Sequence, residues 1–288
     1  MRLSDIKTIF HKELDGIYPM EEVDSFFYML IMHFLGLERF VLALQPLLTL
    51  SKEEEKPMFA ALSELKLQKP VQYIIGKAHF MELDFIVNEA VLIPRPETED
   101  LLRLILTDLN ATPPQGGPLN VLDIGTGTGC IAIVLAKMFP AAEVCAIDIS
   151  EKALEIAKQN AKNNEVSIEF QQADILQQPQ LARKFDLIVS NPPYVRESEK
   201  QYMGSNVKDH EPGRALFVPD ENPLVFYSAI VDFSKRHLQQ GGCLYLEINQ
   251  YLAKETKALL DDRNFTDIEL RKDIFGNDRL LKARLRQI

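Results

Sequence analysis

The chain has 288 residues, of which 46% are hydrophobic and 26% charged, and its formal net charge is −10. This composition excludes a disordered or fibrous protein, and the length predicts two domains of unequal size. The acidic balance argues against a broad nucleic-acid-binding surface, because such a surface needs a surplus of lysine and arginine.

The first seventy residues predict a small helical bundle. Apolar side chains recur there at helical spacing in two stretches, first Leu3, Ile6, Phe10 and Leu14, then Val23, Phe26, Phe27, Leu30, Ile31 and Phe34. Gly36 is placed to end the second helix. Residues 51–54 form a capping box that would open another helix, with Pro57 as an alternative first turn. Acidic side chains outnumber basic ones by 11 to 8 in residues 1–70, so this part is not a basic module.

Residues 71–93 predict a β-hairpin that connects the bundle to the rest of the chain. Residues 73–87 alternate loosely and include β-branched and aromatic side chains. Pro94 and Pro96 then stiffen an extended segment before a helix from about Glu97 to Leu109, and residues 112–118 have the composition of a loop. We therefore divide the chain into a helical domain at 1–70, a hairpin linker at 71–93 and a larger domain at 94–288.

From residue 120 onward strands alternate with helices, which predicts an α/β domain with a mostly parallel sheet covered on both faces. The predicted strands are 120–124, 143–148, 167–172, 185–190, 243–248, 266–270 and 279–285. The predicted helices are 130–139, 151–163, 222–239 and 251–262. Ligands of such sheets lie beyond the carboxyl ends of the strands. The residues with the most informative chemistry follow these ends, namely the loop 125–129, Asp148, Asp174 and Asn191.

The loop Gly125-Thr-Gly-Thr-Gly129 follows a strand and opens a helix. Its glycines allow the backbone to pass close to a ligand whose polar groups would meet exposed N–H donors. Cys130 stands where the dinucleotide fingerprint has its third glycine, and this spacing favours a nucleoside without a pyrophosphate. A tight turn without a ligand is the alternative.

Two carboxylates and one apolar side chain extend this candidate nucleoside site. Asp148 ends the second strand, where it can accept both hydroxyls of a ribose. Asp174 ends the third strand and can receive the exocyclic amine of an adenine, with Ile175 beside it as an apolar face for the ring. Each aspartate taken alone is equally typical of a helix cap or a turn.

The tetrapeptide Asn191-Pro-Pro-Tyr194 is the most informative segment. Two consecutive prolines at the end of a buried strand remove two N–H donors and leave carbonyl acceptors that can face a cleft. The side-chain oxygen of Asn191 and the carbonyl of Pro192 can together accept both N–H bonds of a planar –NH2 group. The Tyr194 ring can lie on the face of that group. An ordinary proline-rich turn is the alternative.

The loop and the tetrapeptide together predict methyl transfer from S-adenosylmethionine to a planar amide or amino nitrogen. An amide nitrogen is a poor nucleophile because its lone pair is delocalised into the carbonyl. Two acceptors that hold its N–H bonds would aim the lone pair at a sulfonium methyl and stabilise the positive charge that develops. No strong base is required, since the proton can leave after transfer. A cofactor-binding scaffold without catalysis and an NAD-linked oxidoreductase are the alternatives from other classes.

The sequence predicts neither a membrane segment nor a metal site. The first residues lack the apolar stretch of a signal peptide, and no uncharged run is long enough to cross a bilayer, so we expect a cytoplasmic protein without membrane contact. Cys130, Cys145 and Cys243 are far apart and have no C-x-x-C pair or histidine-rich partner. We therefore expect reduced thiols and no metal site.

Seven segments spread over nearly the whole chain resemble the PrmC/HemK family, the protein-(glutamine-N5) methyltransferases of peptide-chain release factors. The segments are 71–76 (VQYIIG) between Pro70 and Phe80, 91–99 (VLIPRPETE), 125–129 (GTGTG), 148–150 (DIS), 190–194 (SNPPY), 211–216 (EPGRAL) and 273–279 (DIFGNDR). Many methyltransferases share the glycine loop, and several amino-methylating families share NPPY. The segment from Pro94 to Glu99 is far more specific to this family.

The resemblance implies a Rossmann-like, seven-stranded class I methyltransferase sheet, joined by a hairpin to a helical N-terminal domain that helps dock the release factor. The acceptor would be the glutamine of a Gly-Gly-Gln tripeptide. Apart from the resemblance, we expect a monomer that makes no direct contact with nucleic acid. The expected substrate-binding residues are Asn191, Pro192, Pro193 and Tyr194, of which Asn191, Pro192 and Tyr194 are the expected catalytic residues. The expected residues for S-adenosylmethionine are Gly125, Thr126, Gly127, Thr128, Gly129, Asp148, Asp174, Ile175 and Asn191.

Several alternatives stay open at this point. A DNA adenine-N6 or rRNA guanine-N2 methyltransferase would also suit NPPY, but it would need a basic recognition module. A glutamine in a ribosomal protein would differ only in its docking surface. Arg95 and Glu97 can either help close the cofactor site or fasten the linker to the catalytic domain. Asn249 stands where similar family members usually carry glycine; we expect little effect, since asparagine tolerates left-handed backbone, but the role of Glu247 is left open.

Overall fold

The computed structural model describes residues 1–111, 117–261 and 263–286. Most of the predicted loop at 112–118 and the last residue of the predicted helix at 251–262 lie outside these ranges. The chain divides into two compact units, which we call the helical unit (Met1–Gly76 with Gly204–His210) and the sheet unit (Lys77–Met203 with Glu211–Ile288). Among the described residues, no helix is both long and apolar enough to cross a bilayer.

The helical unit is built on a single apolar core. Its helices are α1 (Leu3–Leu14), α2 (Met20–Leu35), α3 (Val41–Leu44), α4 (Lys52–Lys66) and α5 (Val71–Ile75), with the short α9 (Ser205–Lys208) from later in the chain. The predicted stripe of α1 is fully buried, and in α2 four of the six predicted residues are buried, while Phe26 and Phe34 are only partly so. Each such side chain stabilises the fold by roughly 1.5–3 kcal/mol when fully buried.

Capping residues set the ends of these helices. Gly36 ends α2 with φ of 63°, a left-handed conformation that glycine adopts without strain. The Ser51 side chain accepts from the backbone N–H of Glu54, whose carboxylate in turn accepts from the backbone N–H of Ser51. The predicted capping box is therefore present, and Pro57 lies inside α4 rather than in its first turn.

The predicted hairpin at 71–93 is correct only in part. Its strands are β1 (Lys77–Phe80) and β2 (Leu83–Ile86), whereas Val71–Ile75 forms the helix α5. Pro70 and Gly76 flank this helix as its N-cap and C-cap, and their helix-boundary signals outweigh the loose alternation that favoured a strand. The hairpin is held to helix α8 (Glu151–Asn163), where the Asn160 side chain bonds both the N–H and the carbonyl of Ile86.

The sheet unit contains a seven-stranded sheet within the described residues. Its order is β10-β11-β9-β6-β3-β4-β5, with β3 (Asn120–Ile124), β4 (Glu143–Asp148), β5 (Glu169–Gln172), β6 (Phe185–Ser190), β9 (Leu238–Glu247), β10 (Phe265–Lys272) and β11 (Asp278–Leu285). Only β11 runs antiparallel to its neighbours β9 and β10. The remaining helices are α6 (Pro96–Ala111), α7 (Cys130–Met138), α10 (Val225–His237) and α11 (Ala253–Asp261), and a two-residue pair joins β7 (Val195–Arg196) to β8 (Phe217–Val218).

Helices cover the sheet on both faces, as the near-continuous apolar strands predicted. Alternate residues of β3 show this arrangement, since Val121 packs in one core with α6 and α7 and Leu122 packs in the other with α10. Strand β9 begins five residues earlier than predicted, at Leu238, so α10 ends at His237. The strand order changes direction at β3, which lies between β4 and β6. The carboxyl ends of these three strands therefore enclose the crevice where doubly wound sheets bind ligands.

Candidate active site

A cavity of about 550 Å³ opens at the carboxyl ends of β3, β4 and β6. Its volume lies within the range typical of small-molecule sites. Eight of the predicted site residues line it, namely Gly125, Gly127, Asp148, Asp174, Ile175, Asn191, Pro192 and Pro193. Residues predicted from separate segments of the sequence thus converge on one cavity of the sheet unit.

The glycine loop contributes space to this cavity. Gly125, Gly127 and Gly129 have φ of 73°, 55° and 81°, which only glycine adopts readily. A Cβ on Gly129 would lie 3.0 Å from the Cδ1 atom of Ile133 and 3.2 Å from the Cβ of Ala157. The loop is therefore glycine-rich both for its backbone conformation and for close packing between α7 and α8.

Four backbone N–H groups of this loop are used within the protein, contrary to the expectation of exposed donors. Those of Gly125 and Thr126 donate to the Ile147 carbonyl at 2.9 and 3.1 Å, and that of Gly129 donates to the Thr126 carbonyl at 2.8 Å. The N–H of Gly127 donates to the Asp148 carboxylate at 2.9 Å. These four N–H groups therefore bond other parts of the protein, while Gly125 and Gly127 line the cavity.

Thr126, Thr128 and Gly129 do not line the cavity, although the sequence predicted them as cofactor-binding residues. Both threonines are buried, and the Thr126 hydroxyl donates to the Asp123 carboxylate at 2.6 Å. Burial raises the pKa of Asp123 to about 7. These residues support the conformation of the loop through buried contacts outside the cavity.

Asp148 and Asp174 both line the cavity and also bond the backbone. The two carboxylate oxygens of Asp148 accept from the N–H groups of Gly127 and Ser150, at 2.9 and 2.8 Å. Burial raises the pKa of Asp148, while these bonds and the positive charge of Arg214 lower it. Asp174 caps a single 3₁₀ turn by accepting from the N–H of Leu176 at 2.9 Å. The capping alternative is therefore present beside the position that ligand binding needs.

Asn191 joins a buried chain of hydrogen bonds that leads away from the cavity. Its side-chain Nδ2 donates to the Thr98 hydroxyl oxygen at 3.0 Å, and that hydroxyl donates to the Oε2 of Glu247 at 2.7 Å. Thr98 and Glu247 are 3% and 1% exposed. Burial raises the pKa of Glu247, and the bonds from Thr98 and Tyr194 act against this effect.

Tyr194 completes this chain and does not line the cavity. Its hydroxyl donates to the Oε1 of Glu247 at 2.8 Å, and the Arg279 guanidinium lies 5.4 Å from its ring centre. Arg279 also pairs with Asp273 and donates to the Ile248 carbonyl at 2.8 Å. Burial and the Glu247 charge hold the pKa of Tyr194 well above its usual range. Tyr194 is therefore a neutral donor held in place by its surroundings.

Comparison with known proteins places the chain in a family. The PrmC N-terminal domain family matches residues 12–76, and the Methyltransferase small domain family matches residues 102–207. A release factor glutamine methyltransferase from Flavobacterium psychrophilum is 48% identical over 99% of this chain and 100% of its own length. Those of Bacteroides thetaiotaomicron and Streptococcus pneumoniae are both 39% identical over 98% of this chain, and over 99% and 98% of their own lengths. The chain belongs to the release factor glutamine methyltransferase family.

Solved structures give the fold independently. A methyltransferase from Pyrococcus furiosus has a TM-score of 0.50 at 18% identity, covering 82% of this chain and 100% of that one. The T. thermophilus 16S rRNA N2 G1207 methyltransferase, solved with AdoMet and guanosine, has a TM-score of 0.53 at 22% identity, covering 73% of this chain and 50% of that one. These likenesses confirm the predicted α/β, class I methyltransferase fold.

Residues of the family segment at 91–99 bond side chains from later in the chain. Thr98 supplies the partner of Asn191, and Arg95 forms an ion pair with the buried carboxylate of Glu211, which also accepts from the N–H of Ile93 at 3.2 Å. The contacts of Arg95 and Ile93 with Glu211 favour the interpretation that Arg95 fastens the linker to the larger domain. Sequence reasoning gives Thr98 no role of its own, and the specificity of the family segment at 91–99 is the signal that points to it.

The expectation for Asn249 rested on a left-handed backbone at this position, and that physical reason is wrong. Asn249 has φ of −69°, so its backbone is not left-handed. Its Nδ2 donates to the Tyr194 carbonyl and to Glu199, both at 2.9 Å, and its Oδ1 accepts from the N–H of Tyr251 at 2.9 Å. In this chain the side chain at 249 supports the segment that contains Tyr194.

Proposed function

We propose that this protein transfers the methyl group of S-adenosylmethionine to the side-chain amide nitrogen of the glutamine in the Gly-Gly-Gln motif of a peptide-chain release factor. The observation that carries this proposal is the position of Asn191 and Pro192 on the cavity wall, with the Asn191 Nδ2 bonded to Thr98. That bond leaves Oδ1 of Asn191 as the free acceptor for a substrate N–H.

The cavity residues fit the proposed cofactor. Gly125 and Gly127 leave its wall without side chains at the loop, and Ile175 supplies an apolar surface for an adenine ring. Each oxygen of Asp148 accepts one backbone N–H, which leaves a second acceptor position on each for a ribose hydroxyl. Asp174 would accept the adenine amine. When bound, S-adenosylmethionine supplies an electrophilic methyl group on a positively charged sulfur.

The acceptor amide would be held by Asn191 and by the carbonyl of Pro192. Two acceptors that engage both N–H bonds of the –NH2 group fix the orientation of the amide plane. The nitrogen lone pair, which is perpendicular to that plane, is thereby aimed in one direction. The same acceptors stabilise the positive charge that develops on nitrogen during transfer. Pro192 is buried and has no N–H of its own, so the backbone at this point offers an acceptor without a competing donor.

The helical unit would dock the release factor, as the resemblance implies. Its residues 1–70 carry more acidic than basic side chains, which supports a protein partner over a nucleic acid. Phe40, Leu44 and Leu47 are 71%, 77% and 69% exposed, which is typical of a surface that binds another protein. We further propose that residues 71–93 link this domain to the catalytic domain at 94–288 and that the protein acts as a monomer.

Transfer of a radiolabelled methyl group tests the function directly. The purified protein is incubated with labelled S-adenosylmethionine and one of three substrates: a release factor, its Gly-Gly-Ala variant, or duplex DNA. We expect label in the release factor and none in the variant or the DNA. Label in the DNA without label in the release factor would refute the proposal in favour of an adenine-N6 methyltransferase.

A further inference from the structure

A carboxamide such as that of Asn191 has two ends of nearly equal size and opposite hydrogen-bonding character. With Oδ1 toward the cavity it accepts an N–H bond, and with Nδ2 toward the cavity it presents a donor to another donor. The shape of the site cannot distinguish these two orientations. The hydrogen-bond partner on the far side of the amide must therefore determine which end faces the substrate.

That partner is Thr98, whose hydroxyl has one proton to give. The proton goes to Oε2 of Glu247 at 2.7 Å, so the Thr98 oxygen is left as an acceptor for Nδ2 of Asn191 at 3.0 Å. The direction of both bonds follows from the state of the carboxylate at the end of the chain. Thr98 lies on α6 and Glu247 at the end of β9, so two rigid elements hold this arrangement.

Each carboxylate oxygen of Glu247 accepts one hydroxyl hydrogen bond, which is the arrangement expected of an ionised carboxylate. Its Oε1 accepts from the Tyr194 hydroxyl at 2.8 Å, and its Oε2 accepts from Thr98. The charges of Arg279 and Glu97 shift the pKa of Glu247. The charge of Glu247 in turn raises the pKa of three neighbouring groups, namely Tyr194, Tyr227 and Cys130. Arg279 supplies the opposing positive charge, while burial and the negative charge of Glu97 favour the protonated form.

We propose that Thr98 and Glu247 are positioning residues that fix the side-chain amide of Asn191 with its oxygen toward the acceptor nitrogen, and that protonation of Glu247 reverses this direction. A protonated Glu247 donates to Thr98, which then donates to Asn191. Asn191 must then turn its oxygen toward Thr98 and its –NH2 toward the substrate. The assignment rests on the proposed function and adds an acid limit to it.

Protonation of Glu247 determines the direction of the expected pH dependence. Burial raises the pKa of Glu247, so the carboxylate takes up its proton at a higher pH than an ordinary glutamate does. The turnover number, measured at saturating S-adenosylmethionine at each pH, should therefore fall as the pH falls through this raised pKa. The release factor must remain folded over that range, which its circular dichroism spectrum can verify.

A pair of substitutions at Thr98 separates positioning from packing. Thr98→Val keeps the shape and removes the hydroxyl, whereas Thr98→Ser keeps the hydroxyl and removes the methyl group. We expect kcat for methyl transfer to drop about 100-fold in Thr98→Val and most of that loss to be recovered in Thr98→Ser. The Kd for S-adenosylmethionine, measured by calorimetry, should stay near the wild-type value in both, whereas the melting temperature of Thr98→Val should fall, because the buried Oε2 of Glu247 loses its hydrogen-bond donor. A purely structural role predicts the reverse order, with Thr98→Ser more impaired, and that order would overturn the proposal.

Glu247→Gln provides the second measurement, because a glutamine does not titrate. We expect its kcat to be reduced and the acid limb of its pH profile to be absent. An acid limb that persists at the wild-type pH in this variant would overturn the role of Glu247. Wild-type protein runs in parallel on the same release factor, and failure of wild type to transfer any label would instead count against the proposed function.

Discussion

Replacing Asn191 by alanine removes the acceptor that the proposed mechanism needs most. The loss of one hydrogen-bond partner to a developing charge costs about 3 kcal/mol at the transition state, which is roughly a 100- to 200-fold decrease in kcat. The fold should be little affected. Thr98 keeps its bond to Glu247 when the Asn191 amide is removed, so no buried donor is left without a partner.

The assay for this variant measures two quantities on the same protein. Single-turnover transfer of labelled methyl to the release factor gives the rate of the chemical step, and calorimetry gives the Kd for S-adenosylmethionine. We expect the rate to fall and the Kd to change less than threefold. Asn163→Ala is a matched control, since Asn163 is exposed on α8 and outside the cavity.

Two outcomes would refute this reasoning about Asn191. A transfer rate within threefold of wild type would show that the amide oxygen does not hold the acceptor. A Kd that rises as much as the rate falls would assign Asn191 to cofactor binding alone. The Asn163→Ala control must behave as wild type for either outcome to be interpreted.

Two further substitutions test the framework of the site. Gly129→Ala introduces a Cβ 3.0 Å from a side-chain atom of α7, at a residue whose φ is 81°. We expect urea denaturation to show a loss of about 1–3 kcal/mol in the free energy of unfolding. Gly16→Ala is the control and should leave the urea midpoint unchanged, because a Cβ there meets no atom within 4 Å. Arg95→Ala leaves the buried carboxylate of Glu211 without its cation; because the Arg95 side chain is 31% exposed, we expect a loss of about 1–3 kcal/mol, and an unchanged urea midpoint would contradict the fastening role.

The sequence predicted those parts of the fold that depend on local patterns. The stripe of Leu3, Ile6, Phe10 and Leu14 is the buried face of α1 because the period of a helix is contained in the chain itself. The strand that leads into Asn191 could be recognised from its continuous apolar run. Since parallel strands carry ligands at their carboxyl ends, the same pattern also located the cavity.

The contacts that orient the site could not be predicted in this way. Thr98 and Glu247 are separated by 149 residues. No local pattern in the sequence indicates that α6 brings the Thr98 hydroxyl into contact with the Glu247 carboxylate. The sequence also could not show that the loop N–H groups have partners within the protein, because the Ile147 carbonyl belongs to a different strand. The helix at Val71–Ile75 was missed for another reason, namely that its five residues are too few for a periodicity to be recognised.

The internal hydrogen bonds of the glycine loop have a consequence for how ligands enter the cavity. Since Gly125, Thr126, Gly127 and Gly129 already donate to protein oxygens, the loop acquires its shape when the protein folds. Ligand entry then requires little further ordering of the backbone, so little conformational entropy is lost on binding. Amide hydrogen exchange in this loop should accordingly be slow before any ligand is added. A substitution that disrupts the loop should therefore lower the stability of the protein before it lowers the affinity for a ligand.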